Sequence, residues 1–171
     1  KVIRGILREC ISPDLHTGAY YAYDLKRALV VLKQDTLRVV ISLSDQIGSS
    51  EIGRKGYIVG DDHDWNYLYT EDQGLDKTGL GWVKSRIYKF LSICVYIEDA
   101  LRPGTVKVGA FQWLDAGWAG LNLVNTDHIR NGMERYAVQF KYLLESERLP
   151  EPATLENVFI ALQRTNESVL R

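Results

Sequence analysis

The sequence predicts an α+β domain in which helices accompany an antiparallel sheet, and three observations carry that prediction. Leu37, Val39, Ile41 and Leu43 alternate with Arg38, Val40, Ser42 and Ser44, the period of two that gives a strand one buried face. Ile129, Met133, Tyr136, Ala137, Phe140, Leu143 and Leu144 fall instead on one stripe at the helical period. Hydrophobic residues make up 46% and charged residues 25% of the chain, an ordinary globular composition that argues against disorder. A length of 171 residues suits a single domain, with a core over about residues 1–147 and a C-terminal helical extension over 151–171.

Taken in order, Ile3, Ile6, Leu7, Cys10 and Ile11 keep helical spacing opposite Arg4, Arg8 and Glu9, which predicts a short amphipathic helix from Val2 to Ile11. Ser12-Pro13 ends it. Tyr21, Leu25, Ala28, Leu29 and Leu32 predict a second helix, although the Tyr20-Tyr21 and Val30-Val31 pairs leave a strand reading open. The strand from Leu37 follows, then a loop from Gly48 to Gly56. Tyr57 to Val59 and Trp65 to Tyr69 form a predicted hairpin around the acidic turn Gly60-Asp61-Asp62-His63-Asp64.

Val83, Ile87, Phe90 and Leu91 suit a helix from about Gly81 to Leu91, whereas Ile93-Cys94-Val95-Tyr96-Ile97 is rich in β-favouring residues and predicts a strand to Glu98. Val106 to Leu114 and Trp118 to Val124 are read as a hairpin joined by Asp115-Ala116-Gly117, with Gly109 at a bulge. Asn125-Thr126-Asp127 supplies capping chemistry for the long helix, which the Pro150 and Pro152 pair ends. Leu155, Val158, Phe159 and Leu162 define a last helix capped by Thr154. Glycine inside a helix costs about 1 kcal/mol against alanine, so Gly132 predicts close approach by another element.

The same residues narrow the function. Lys plus Arg total 21 against 22 for Asp plus Glu, a balance that offers no steering toward phosphate backbones or anionic lipid, so nucleic acid and membrane are not expected partners. Apolar stretches such as Ala28 to Leu32 fall far short of a bilayer span, and Arg4, Arg8 and Glu9 interrupt the N-terminus, which predicts a soluble, cytoplasmic chain. Lys1 in place of Met, and an end at Arg171 inside a helical pattern, suggest a piece of something longer. Cys10 and Cys94 have no disulfide or zinc spacing and are read as buried thiols. No Gly-x-Ser-x-Gly elbow, no Cys beside a His and no Gly-rich phosphate loop is present, so no catalytic residue is assigned and no cofactor is identified.

Three stretches resemble parts of a GAF domain. Leu37-Arg38-Val39-Val40-Ile41-Ser42-Leu43 looks like its first core strand, and Gly79-Leu80-Gly81-Trp82-Val83 followed by Val95-Tyr96-Ile97-Glu98-Asp99 looks like its mid-domain helix and strand. Gly117-Trp118-Ala119-Gly120-Leu121-Asn122-Leu123-Val124 resembles the last strand before the closing helix. The resemblance covers residues 1–145. It implies a GAF/PAS-like antiparallel sheet with helices packed on one face, a small-molecule pocket on the other, and a homodimer formed through terminal helices. Neither a cyclic-nucleotide Asn-Lys-x-Asp signature nor a bilin-attaching Cys-His pair is present.

Two constellations are candidate sites. Asp61, Asp62, His63 and Asp64 concentrate oxygen ligands and an imidazole, and with His16 or His128 Asp62, His63 and Asp64 can hold a metal ion that activates water; a solvated turn explains the same residues. Trp82, Tyr96, Phe111 and Trp113, with Arg86 as an anion contact, are candidate ligand-binding residues for a planar small molecule, against core packing as the plainer explanation. The leading expectation is a non-enzymatic small-molecule sensor or regulatory domain. A metal-assisted hydrolase and a purely structural oligomerisation domain stand as alternatives.

Overall fold

The structure, a computed structural model, describes residues 1–14, 18–35, 37–60, 65–77, 79–99, 101–102 and 104–164. In chain order its elements are β1 (Val2–Asp14), β2 (Ala19–Gln34), β3 (Leu37–Ile47), β4 (Arg54–Gly60), β5 (Trp65–Gln73), β6 (Leu75–Lys77), β7 (Gly81–Val83), β8 (Arg86–Glu98), β9 (Val106–Gly117), α1 (Thr126–Leu144) and α2 (Pro152–Arg164). Strands hold 56% of the described residues and the two helices 20%, which overturns the predicted α+β, GAF/PAS-like sheet with helices packed on one face in favour of a mostly antiparallel β fold.

The misplaced helices share one cause. Segments 2–11 and 21–32, and most of 81–91, are strand. Along β2, Tyr21, Tyr23, Leu25, Leu29 and Val31 alternate with Tyr20, Ala22, Ala28, Val30 and Leu32, so both faces carry apolar groups and the contrast of period two is erased. What remains to decide the conformation is composition, and the valines, isoleucines and tyrosines of β1, β2 and β8 fit a pleated strand better than a helix. Segment 118–124 is likewise not a strand: the Leu121 amide donates to the Trp118 carbonyl at 3.0 Å in a tight turn. The β8–β9 ladder is irregular between Ile87 and Lys89, not at Gly109.

β2 organises the sheet. β1 pairs along one of its edges, from Val2 opposite Val30 to Asp14 opposite Ala19, with an irregularity between Leu7 and Cys10. The other edge is divided, β3 pairing with Asp24 to Gln34 and β4 with Ala19 and Tyr20. Gly48, at φ 69°, turns the chain off the end of β3. The segment beyond it is fixed by Ser50, whose amide donates to the Ile87 carbonyl and whose hydroxyl accepts from the Ile87 amide, both at 2.8 Å. β8 then pairs with β3, β9 with β8, and β5 with β4, all antiparallel, while β6 and β7 form a separate two-stranded hairpin.

The buried core lies at one end of this sheet. Ala19, Tyr21, Leu75 and Ile87 form it, with Tyr23, Val83, Phe90, Leu114 and Ala116 packed around them. Directly opposed residues of an antiparallel ladder share a face. By the observed register the β2, β8 and β9 members of this cluster therefore lie on one face, and the β6–β7 hairpin contributes Leu75 and Val83 to it.

The chain divides into two compact units, Lys1–Arg135 and Tyr136–Arg171. α1 begins as its sequence predicts, the Asn125 side-chain oxygen accepting from the His128 amide at 2.9 Å. Arg130 pairs with Asp127 and Glu134 along its surface, and the Tyr136 and Phe140 rings stack at 5.7 Å. None of its residues is buried. A side chain built at Gly132 would meet nothing within 4 Å, so the predicted close approach is not found. α2 opens on Pro152, a position where proline's missing amide is no loss, and not at Thr154.

Candidate functional site

Register turns scattered apolar residues into a surface. Following the ladders across β1, β2, β3, β8 and β9, one face of the sheet carries the row Val2, Val30, Ile41, Val95, Gly109 and the row Arg4, Ala28, Leu43, Ile93, Phe111. Leu32, Val39 and Ile97 extend it at one end, where Lys107 closes the row; Ile6, Leu91 and Trp113 extend it at the other, beside the opposed charges Lys26 and Asp45. Phe111 is 57% exposed and Trp113 52%. Among the described residues of this face only Tyr20, beyond the charged row, is buried.

The reverse face is mixed: Ile3, Leu29, Val31, Val40, Cys94, Tyr96, Val108 and Ala110 also lie on it, with Ile3, Val31 and Val108 exposed, around a polar middle. Its middle holds Arg27, Ser42, Ser44, Ser92 and Gln112. Arg27 lies over Ser42, its guanidinium donating to the hydroxyl at 3.3 Å, and leaves that serine buried. Gln46 donates to the carbonyls of Gly48 at 2.7 Å and Ile87 at 3.0 Å. Among the described residues its Oε1 is the one buried side-chain oxygen or nitrogen without a hydrogen-bond partner. Tyr21 closes the buried end through a 2.9 Å hydrogen bond between its hydroxyl and that of Ser85, and burial raises the Tyr23 phenol above its ordinary value.

Among the described residues, hollows mark the sheet's surface, and two of them adjoin β1 and β2. The larger, about 450 Å³, lies over Arg4, Ile6, Lys26, Ala28 and Leu43 on the apolar face. The other, about 260 Å³, runs between Glu9, Ile11 and Tyr20 on one side and Glu51 and Arg54 on the other. Nearby, Asp24 accepts from the Glu9 amide and the Arg8 guanidinium, which together hold its carboxyl below the usual range. Desolvation, reinforced by Asp24, raises the Cys10 thiol above its ordinary value, the reverse of what an activated nucleophile needs.

The predicted ligand residues do not converge. Phe111 and Trp113 share the apolar face of β9, whereas Tyr96 on β8 points to the reverse face. Trp82 belongs to the β6–β7 hairpin, its indole donating to the Gln73 carbonyl, and Arg86 donates to the Ser50 carbonyl at 2.6 Å. None of the five lines either hollow. Asp61, Asp62, His63 and Asp64 lie outside the described residues, as does His16, while the β4–β5 hairpin predicted around them is present. Among the described residues no three His, Cys, Asp or Glu side chains come together as a metal site.

The apolar face itself was not predicted. Its signal was available in β8 and β9, where Leu91, Ile93, Val95 and Ile97 alternate and Phe111 and Trp113 lie two apart. No described helix is long and apolar enough to cross a membrane. No protein-family model, curated protein or solved structure matches this chain.

Proposed function

We propose that this chain is a non-enzymatic structural module whose sheet is completed by protein packed on its apolar face. A continuous hydrophobic sheet face is stable only when it is buried against another layer. Among the described residues of the unit Lys1–Arg135, no second layer packs on this face over its five strands, and Val2, Ile6, Leu32, Ile97, Phe111 and Trp113 are all exposed there. That open face carries the reading. Contiguous apolar surface of this extent on a folded chain marks an interaction site. Assembly therefore stands ahead of small-molecule sensing, whose five candidate residues Trp82, Arg86, Tyr96, Phe111 and Trp113 do not share one face.

Multi-angle light scattering of the full chain over a hundredfold concentration range tests the proposal. Mass above that of a single chain, with a melting temperature that rises with protein concentration, is the expected result. A monomer throughout, with a concentration-independent melting temperature, sinks it.

A further inference from the structure

Resting on that reading, we propose that the partner on the apolar face is a second copy of this chain, apposed face to face about a two-fold axis running along β3. The occupant has to be flat, extended and apolar, and the molecule carries one such surface itself. Five strands spaced about 4.8 Å apart, over roughly eight residues of about 3.4 Å each, give about 600 Å² of plane per copy. Once side-chain relief is added, that is the size of a standard dimer interface, roughly 800 Å² of accessible surface on each side.

The rows also complement themselves. A two-fold axis along β3 sets β8 of one copy over β2 of the other, and β9 over β1. In one row bulky Ile93 then meets small Ala28, Phe111 meets Arg4, and Leu43 meets its own counterpart on the axis. In the next row Gly109 meets Val2 and Val95 meets Val30, with Ile41 on the axis. Ile93 over Ala28 and Val2 over Gly109 set a large group against a small one, the other aliphatic pairs are equal in size, and a guanidinium faces an aromatic ring, a favourable pairing when desolvated. A side chain built at Gly109 would meet nothing within 4 Å, so that position leaves open space on the face for a facing valine. In the row of Ile6, Lys26, Asp45, Leu91 and Trp113 the same axis sets Trp113 over Ile6 and Leu91 over Lys26 and brings Asp45 opposite its own counterpart, with each Lys26 diagonal to the facing Asp45, so this charged row marks the rim of the contact.

Crosslinking reads the geometry directly. In a Cys10→Ser, Cys94→Ser background, Leu43→Cys treated with a short bismaleimide is expected to give a covalent dimer. Val40→Cys, on the opposite face of the same strand, is expected to give none. Ile93→Lys weakens self-association by about a hundredfold, the scale of a charge set in the centre of an interface. Oligomer by light scattering without a Leu43→Cys crosslink overturns the face-to-face pairing and leaves the assembly reading standing. Monomer at every concentration overturns both. A monomer in which the Leu43→Cys thiol is also shielded from reagent overturns both in favour of a cover formed by the chain's own helices.

Discussion

Tyr21 links the two sides of the small core, its ring packed among Ala19, Leu75 and Ile87 and its hydroxyl bonded to Ser85. Tyr21→Phe keeps the ring and leaves the Ser85 hydroxyl without that partner, so a loss of about 1 kcal/mol in urea unfolding is expected. An unchanged midpoint would show that water replaces the bond. Asp99 has a different dependence. The Leu101 amide, then the Arg102 and Lys107 side chains, hold its carboxyl below the usual range. Its folded pKa lies below its unfolded one, so its stabilisation is fully present above the unfolded value of about 3.9 and fades as pH falls through the lower folded value. Asp99→Asn is therefore expected to be less stable than the native chain at pH 7, with the gap closing toward pH 2. A gap of equal size at both pH values would separate the carboxylate from that role. Neither residue was legible as important in the sequence: Tyr21 read as one apolar position on a helix, and its partner Ser85 comes from a segment 64 residues away, while Asp99 read as the end of a strand although its partners Leu101, Arg102 and Lys107 lie in the turn and strand that follow it.

Among elements, the β6–β7 hairpin supplies the lid over the sheet's buried end. Gly74 enters it at φ 107°, where a side chain would collide with the Trp82 indole and lie 2.9 Å from the Val83 carbonyl. Gly74→Ala is expected to cost about 1–3 kcal/mol through backbone strain and overpacking together. Thermal unfolding at the native midpoint would remove that account of the hairpin. Elements with one polar and one apolar face were legible: β3 by its alternation, the β4–β5 hairpin by its turn residues, and α1 by its stripe and Asn125 cap. β1 and β2 were not, because apolar groups stand on both of their faces and spacing alone then fits a helix as well as a strand.

For the whole molecule, the candidate surface belongs to register and to no single segment. Val30, Ile41, Val95 and Gly109 come from four strands, and a slip of one residue in any ladder would send that strand's members to the reverse face. Side-chain identity in the sequence cannot supply that alignment, which is why aromatic density around Trp82 and Trp113 suggested a pocket where the fold makes a plane. The ladders are also unequal in reach. β1–β2–β3 and β8–β9 close through short connections, whereas the residues paired between β3 and β8 stand 46 to 58 apart in the chain. Closing a loop of that length costs about 3–4 kcal/mol in chain entropy, and this one ladder bears it. Two local meanders are therefore expected to form ahead of the ladder between Ile41 and Val95 that joins them, an order that folding rates of Ile41→Val and Val95→Ala variants would check. On that order the apolar rows stay split in half until the ladder closes, and the full adhesive surface belongs only to chains that have reached the native topology.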